Sequence, residues 1–391
     1  MNPLTESTGA QCGDLTREDA YGLIEAEGAH LLAVMHAAAR LREAHKGRTV
    51  TYSRKVFIPL TTLCRDDCGY CTFKRDPGQP GARYLAPEEV LEIARQGQAQ
   101  GCKEALFSLG DKPELRFPEA AAALRRLGHT STIGYLVDMC RQVLRETGLL
   151  PHPNPGTLSR PELAALRETS GSMGIMLENL TPRLQQPGMA HERAPDKVPG
   201  ARMANLRFAG ELRFPFTTGL LIGIGETPRE RVDTLFEIKA IHQRYGHIQE
   251  VIIQNFRAKP GIPMADWPDA TLSDLLRTIA VAWLVLGGEM NIQAPPNLSP
   301  ETYPLLLLAG INDWGGISPV TPDHINPEAP WPLIDELARR SAEVGYVLRE
   351  RLTLYPEYIR EKEGFVPPSM QAAVVRLADA EGYAQPHDTA A

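Results

Sequence analysis

The chain has 391 residues, of which 43% are hydrophobic and 23% are charged, an ordinary balance for a globular protein with a large core. The formal net charge is −7, and no basic stripe with interleaved aromatic residues occurs, which argues against a nucleic-acid partner. The longest apolar runs, such as residues 279–286, are too short to span a bilayer, and residues 1–15 lack the apolar core of a secretory signal, so we expect a cytoplasmic protein with no membrane partner.

The first helical pattern follows a polar leader, residues 1–15, that we expect to be disordered. Apolar residues recur at helical spacing between Thr16 and Glu43. Thr16 is available as the N-cap, and Asp19 stands three residues later as a shorter counterpart of the usual capping-box glutamate. Residues 1–48 therefore predict a leader and one or two helices ahead of the main domain.

Strand-like and helical patterns alternate through the main domain, which we place at residues 49–350. The predicted strands cover residues 55–60, 104–109, 149–152, 172–177, 214–222, 248–254, 289–293 and 312–317. The predicted helices cover residues 87–100, 117–127, 135–147, 160–168, 200–212, 227–245, 272–286, 300–309 and 332–349. About eight strand–helix units predict an α/β fold with a parallel sheet, a (β/α)8 TIM-type barrel with an N-terminal helical extension. A doubly wound open sheet is the alternative.

The last part of the chain, residues 351–391, is predicted to be a C-terminal extension. Its end, after about Phe365, is expected to be peripheral.

Three cysteines lie within eight residues after the first predicted strand, namely Cys64, Cys68 and Cys71. This C-x3-C-x2-C spacing suits a [4Fe–4S] cluster, which needs four thiolates when it is bound wholly by protein. The other three cysteines, Cys12, Cys102 and Cys140, are far away in sequence. One iron would therefore keep an open position for a small molecule, much as a catalytic zinc does.

Two other interpretations of these cysteines stay open, a zinc knuckle and three unrelated residues. A zinc knuckle would take its fourth ligand from a nearby histidine, and no histidine occurs between His45 and His129. Zinc ribbons usually combine paired C-x2-C knuckles. In contrast, Tyr70 and Phe73 beside the last cysteine would shield an iron–sulfur cluster from water. The spacing therefore favours a cluster.

Glycines and polar residues follow several of the predicted strands, where a barrel carries its chemistry. After the second strand, Gly110 allows close backbone approach, and the Asp111 carboxylate can accept hydrogen bonds from an amino group. After the fourth, Glu178 can contact a ribose or an amino acid. At the end of the fifth strand, Gly219, Gly223 and Gly225 let a flat group lie on the backbone, and Glu226 follows them. Taken alone, Gly110-Asp111 is also explained as a turn and Glu178 as a solvated loop carboxylate. The glycines of the fifth strand are also explained as a nucleotide-binding loop, although they lack the G-x-G-x-x-G spacing.

The cysteine motif, with Tyr70 before its last cysteine, resembles the signature of the radical S-adenosylmethionine superfamily. The segment from Gly219 to Glu226 resembles the fifth-strand motif G-x-I-x-G-x-x-E, with Leu221 in place of isoleucine. Gly110 and Asp111 stand where that superfamily usually has Gly-Gly-Glu. Residues 64–73, 109–114, 152–156, 219–226, 254–264 and 313–330 further resemble the deazaflavin synthase family.

This resemblance implies that Cys64, Cys68 and Cys71 hold a [4Fe–4S] cluster whose open iron is chelated by S-adenosylmethionine. The residues it implies for binding that cofactor are Tyr70, Gly110, Asp111, Glu178, Gly223, Gly225 and Glu226. Arg193 and Arg202 are further candidates, as clamps on the carboxylate of S-adenosylmethionine.

The resemblance also implies a lyase reaction. A radical derived from S-adenosylmethionine abstracts hydrogen from a hydroxybenzyl–ribityl-uracil adduct, and ring closure with loss of ammonia forms a deazaflavin. For this substrate we expect mostly uncharged hydrogen-bonding residues, and the candidates are His152, Asn154, Asn255, Asn297 and Asp313. His152 is also a candidate base.

The expected protein partners are an electron donor such as a flavodoxin or ferredoxin and a partner subunit. The resemblance implies that this partner is a second radical enzyme, which makes the adduct by joining the hydroxybenzyl group of tyrosine to a ribityl-diaminouracil. Three other functions stay open, namely that partner subunit itself, a sulfur inserter like biotin synthase, and an electron carrier. A sulfur inserter would need a second cluster.

Overall fold

A computed structural model of the chain describes residues 15–386, so all but the last residue of the predicted leader lies outside the described residues. The strands are β1 (Thr49–Thr61), β2 (Glu104–Leu109), β3 (Leu150–Asn154), β4 (Met173–Gly174), β5 (Phe216–Ile222), β6 (Ile248–Asn255), β7 (Ile292–Gln293), β8 (Asp313–Ile317) and β9 (Val347–Glu350). The helices are α1 (Arg17–Ile24), α2 (Gly28–Lys46), α3 (Pro87–Ala99), α4 (Pro118–Arg126), α5 (Thr132–Thr147), α6 (Arg160–Arg167), α7 (Pro199–Glu211), α8 (Pro228–Tyr245), α9 (Leu272–Leu286), α10 (Pro304–Ala309), α11 (Ile334–Glu343), α12 (Pro356–Arg360) and α13 (Pro368–Leu377).

The first eight strands are parallel and follow each other around a barrel wall, in the order β3-β2-β1-β8-β7-β6-β5-β4. β1 pairs with β8, as closure requires. At the seam, β3 and β4 lie side by side, and the Gly171 N–H donates to the Pro151 carbonyl at 3.1 Å. The predicted (β/α)8 barrel is confirmed, and an open doubly wound sheet does not describe this order.

The predicted N-terminal helices are α1 and α2, which pack outside the barrel against α8 and α9. Thr16 and Asp19 form the predicted capping box, since each side chain accepts a hydrogen bond from the other residue's backbone N–H, at 3.1 and 3.2 Å. Arg17 forms an ion pair with Asp233 of α8 at 2.8 Å, and the Tyr21 hydroxyl donates to the same carboxylate. Among residues 15–386, no helix is both long enough and apolar enough to cross a membrane.

β4 and β7 have two residues each, shorter than predicted. After β4 the chain still runs beside β5, because the N–H groups of Ile175 and Glu178 donate to the carbonyls of Thr217 and Gly219 at 3.0 Å. Glu178 has a φ of +61°, which bends the backbone away from regular strand geometry. The short strands therefore keep their places in the wall while their ends curve toward the mouth of the barrel.

The predicted final helix is wrong in its second half. α11 ends at Glu343, and Gly345 adopts a φ of +88°, a conformation that favours glycine and ends a helix. β9 follows and pairs in parallel with the first residues of β1. The apolar residues Val347 and Leu348 fit helical spacing and strand pairing equally well, so only the tertiary contact with β1 decides between them.

The segment after β9 closes the base of the barrel. The Arg351 guanidinium donates to both oxygens of Asp313, at 2.6 and 2.8 Å, and to Glu250 at 3.1 Å. The Tyr355 hydroxyl also donates to Glu250, at 2.7 Å. Farther along, Met370 and Val374 of α13 are buried in a second apolar cluster with residues of α12. The expectation of a peripheral end after Phe365 is therefore wrong.

Candidate active site

A cavity of about 350 Å³ runs from the carboxyl ends of the strands down into the barrel. The three predicted cluster ligands, Cys64, Cys68 and Cys71, line its mouth, and Lys55 and Glu250 line its floor. The volume is in the range of sites that enclose small organic molecules. The cavity thus has three thiols at one end and polar side chains at the other.

The cysteine loop follows β1 and is held by neighbouring backbone. The N–H groups of Asp67 and Gly69 donate to the carbonyls of Arg193 and Ala190, at 2.8 and 2.7 Å. Gly110, at the end of β2, lies so close that a Cβ there would overlap the Leu63 carbonyl. Gly110 therefore lets β2 pack closely against the cysteine loop, and its contact with a cofactor stays a prediction.

Three free thiols at the cavity are available as protein ligands of a cluster. All three cysteines are half-buried and free of disulfides, and the other cysteines of the described chain, Cys102 and Cys140, are buried outside the cavity. Backbone N–H groups of Asp66 and Asp111 lie 3.4 and 3.2 Å from the Cys64 sulfur, the type of contact that tunes cluster sulfurs. Burial raises the pKa of the Cys68 thiol to about 12, so metal binding here has to release the proton.

Asp111 lines the same cavity as the three cysteines and has one carboxylate oxygen without a partner. Its Oδ2 accepts from the Thr157 N–H at 2.9 Å, whereas its Oδ1 is buried and has no hydrogen-bond partner in the described chain. Burial and the nearby charge of Asp196 raise the pKa of Asp111 to about 7, with a smaller effect of Asp66. A cationic amino group at Oδ1 would satisfy the oxygen and balance these charges, so Asp111 fits the amino group of S-adenosylmethionine.

We expect Asp111→Asn to weaken the binding of S-adenosylmethionine about 10- to 100-fold, since a hydrogen bond to a charged group contributes about 1.5–3 kcal/mol. The amide keeps an oxygen for Thr157 but removes the negative charge. Equilibrium dialysis with the anaerobic, cluster-loaded chain measures this effect. Asp138→Asn on the surface of α5 is the control, and equal affinity in both variants would contradict the assignment.

Other predicted cofactor residues reach the same cavity with partners of their own. Glu178 forms an ion pair with Lys197 at 2.6 Å and lines the cavity. The Tyr70 hydroxyl lies 3.1 Å from His191 Nε2, and its ring lies under the Lys197 ammonium, 5.8 Å from the ring centre. Arg202 also lines the cavity, but its Nε donates to the Met176 carbonyl at 2.8 Å, so its guanidinium braces the wall.

The structure does not bring the predicted residues Arg193, Gly223, Gly225 and Glu226 into the cavity. Glu226 instead closes the turn after β5, because its carboxylate accepts from the N–H groups of Gly223 and Ile224 at 2.8 and 2.9 Å. It also pairs with Arg231 at 2.7 Å. Arg193 lies on an outer surface beside the cysteine loop. Glu226 thus stabilises the turn after β5 and does not line the cavity.

The five predicted substrate residues separate into two groups. His152, Asn154 and Asn255 line the cavity. Asn297 lies behind the wall, where its Nδ2 donates to Asp323 and to the Ala329 carbonyl at 3.0 Å. Asp313 is fully buried under the floor in its pair with Arg351.

Sequence reasoning missed a set of polar residues on the inner faces of the strands, namely Lys55, Glu250, Gln254 and Gln293. They occupy positions within the strands, while the sequence analysis weighed only strand ends. A signal was present, because Glu250, Ile252 and Gln254 alternate along β6 and all face the cavity. Polar residues at alternate positions of a buried strand indicate a ligand-facing wall.

Comparison with known proteins agrees with this geometry. A family model described as the radical SAM superfamily matches residues 58–238. The crystal structure of methylornithine synthase has the same fold, with a TM-score of 0.67 over 87% of this chain and 95% of that one, at 20% identity. Because the identity is low, this likeness concerns the fold alone.

Two curated relatives are much closer in sequence. The 7,8-didemethyl-8-hydroxy-5-deazariboflavin synthase of Methanopyrus kandleri is 54% identical over 336 residues, which are 86% of this chain and all of that protein. The FO synthase of Mycobacterium tuberculosis is 49% identical over 93% of this chain, but the match spans only 44% of that longer protein. The chain therefore belongs to the 7,8-didemethyl-8-hydroxy-5-deazariboflavin synthase family of radical S-adenosylmethionine enzymes.

Proposed function

We propose that the chain is a radical lyase that forms the deazaflavin chromophore from a hydroxybenzyl–ribityl-uracil adduct, with release of ammonia. The observation that carries this proposal is the 54% identity with a named deazariboflavin synthase over that protein's whole length. The three cysteines and the Asp111 carboxylate, which line one cavity, support it. The methionine and 5′-deoxyadenosine that leave with the product follow from use of S-adenosylmethionine.

The chain's part in the reaction is to hold two cofactors and orient the substrate against them. Cys64, Cys68 and Cys71 would bind a [4Fe–4S] cluster, and Asp111 and Glu178 would bind S-adenosylmethionine. When bound, these cofactors supply the electron and the hydrogen-abstracting carbon radical. The barrel wall then has to keep the reacting carbon in near contact with that radical and exclude other hydrogen donors.

The loop after β8, residues 318–333, covers the mouth and supports this exclusion of water. Its Ile325 carbonyl accepts from Thr72 of the cysteine loop at 2.6 Å and from Lys259 at 3.0 Å. Trp331 stacks on Phe57, with ring centres 5.2 Å apart. These contacts join the covering loop to the cluster loop and to the inner wall, so a bound substrate would be enclosed on the side of the radical.

His152 supports the substrate as a neutral hydrogen-bonding group. Its Nδ1 lies 2.7 Å from the Ser172 hydroxyl and 3.1 Å from that of Thr353, which fixes the ring. Its Nε2 has no hydrogen-bond partner among the described residues, and the side chain lines the cavity. Burial lowers the pKa of His152 to about 3, so the ring is uncharged at neutral pH. We assign it to hydrogen bonding with the substrate, with Asn154 and Asn255 as further polar contacts.

The proposed partners are a one-electron donor such as a flavodoxin or ferredoxin and the radical subunit that makes the adduct. The cytoplasmic location expected from the sequence stays a prediction.

Anaerobic incubation of the cluster-loaded chain with dithionite, S-adenosylmethionine and the synthetic adduct tests the function. We expect 5′-deoxyadenosine, ammonia and a fluorescent deazaflavin in about equal amounts. A parallel incubation supplies tyrosine and the ribityl-diaminouracil in place of the adduct, and we expect no product there. Consumption of that pair, with the adduct left intact, would show that the chain is the partner subunit and overturn the proposal.

A further inference from the structure

The floor of the cavity carries two polar side chains whose ends have one partner or none within the described chain. Gln293 of β7 is 7% exposed and lines the cavity, yet its carboxamide makes no hydrogen bond. Lys55 of β1 is 6% exposed, and its ammonium has a single partner, Glu104 at 2.7 Å. Burial of polar groups without partners is unfavourable. Both ends therefore face the cavity as sites for a polar ligand.

Two glycines of β8 make room for these two side chains. β8 lies between β7 and β1 in the sheet. A Cβ on Gly315 would overlap the Gln293 carboxamide, and a Cβ on Gly316 would overlap the Lys55 stem. Gln293 therefore reaches β8 from β7, and Lys55 reaches the next residue of β8 from β1. The pair of glycines makes the room that both polar side chains need.

The other cations that line the cavity are committed elsewhere. Lys74 pairs with Asp67 and Asp76, and Lys197 pairs with Glu178 at the cofactor end. Lys259 is bound by the covering loop. The arginines that line the cavity are Arg202 and Arg257, and both donate to backbone carbonyls. Lys55 is thus the cation of the floor with donors left for a ligand. The charged or titratable groups around it are Glu104, His152, Glu250, Asp313 and Arg351.

We propose that Gln293 and Lys55 bind the dione edge of the substrate's uracil ring at the cavity floor. This inference rests on the proposed function, which supplies a uracil-containing substrate. A carboxamide carries a donor and an acceptor side by side, matching a ring carbonyl and its adjacent N–H, while an ammonium donates to a second carbonyl. With the uracil on the floor, the rest of the adduct extends upward to the cofactor end of the cavity.

Binding measurements with two substrate fragments test the subsite. The probes are 6-(D-ribitylamino)uracil and 4-hydroxybenzyl alcohol, each added to the anaerobic, cluster-loaded chain with S-adenosylmethionine. Lys55→Met and Gln293→Met keep the unbranched stems and remove the polar ends. We expect both variants to weaken binding of the uracil fragment about 10- to 100-fold and to leave the phenol fragment within about twofold.

Lys103→Met is the matched control. Lys103 is also 6% exposed and pairs with Glu350 at 2.7 Å, but it does not line the cavity. The control therefore loses the ion pair of a similarly buried lysine, and we expect uracil-fragment binding like that of the wild type. With the complete adduct, we expect the floor variants to raise KM by about the same factor as the fragment affinity falls and to change kcat less than about fivefold.

Three results separate this inference from the proposed function. Wild-type affinity for the uracil fragment in both floor variants would overturn the subsite. Equal weakening of the phenol fragment, or lower iron content than in Lys103→Met, would point to general disruption and overturn it as well. If the wild-type chain binds the uracil fragment with the expected variant effects but makes no deazaflavin from the adduct, the proposed function fails and the subsite stands.

Discussion

Cys68→Ala is expected to abolish deazaflavin formation and to lower iron after reconstitution from about four per chain to less than about a tenth of that value. The loop offers three thiols at the mouth of the cavity, and no other cysteine of the described chain lines that cavity. A cluster left with two protein ligands loses both its charge balance and its fixed position. Iron analysis and the visible absorption of the reconstituted chain measure the loss.

Cys140→Ala is the matched control for this change. Cys140 is fully buried on the inner side of α5, so the substitution removes a sulfur atom from the core but none from the cavity. We expect full iron content and wild-type activity, with a modest loss of stability of about 1 kcal/mol from the smaller side chain. One zinc per wild-type chain in place of iron, or unchanged iron in Cys68→Ala, would contradict the cluster assignment.

Most of the barrel was predictable because its elements are locally consistent. β2 and α9 have the predicted bounds, and α8 ends at the predicted residue, Tyr245. The errors occur where tertiary pairing decides. The residues of β9 have a pattern that predicts the end of a helix, but they pair with β1, which is almost 300 residues away in the sequence. Local periodicity does not predict such a long-range contact. For the same reason, it does not predict that Arg351 packs into the base of the barrel.

The candidate site was predictable at its mouth and poorly predictable at its floor. The cysteine spacing and Asp111 are local motifs, and the structure places both at the cavity. Lys55 and Gln293 have no motif. Their interest comes from the direction of their side chains and from the glycines opposite them, which only the assembled barrel reveals.

Arg351→Met, at the charged base of the barrel, is expected to destabilise the chain by about 3–5 kcal/mol. Arg351 is 2% exposed and is the cation that pairs with both Asp313 and Glu250. Its removal leaves two buried carboxylates without that charge, and methionine cannot replace the hydrogen bonds. Urea denaturation of the anaerobic, cluster-loaded chain, followed by tryptophan fluorescence, measures the change in the free energy of unfolding.

Arg349→Met, two residues earlier, is the control for the loss of an arginine. Its side chain is 35% exposed and pairs with Asp379 and Glu381 at the surface, so we expect a cost below about 1 kcal/mol.

The pH dependence of the Arg351→Met penalty adds a signature of the buried pair. Burial already raises the pKa of Glu250, while Arg351 lowers it. Without the guanidinium that pKa rises further, so the penalty is largest when Glu250 is ionised and shrinks as the pH falls through its folded-state pKa. A penalty independent of pH, or equal in the two variants, would show that Arg351 stabilises the base by packing alone.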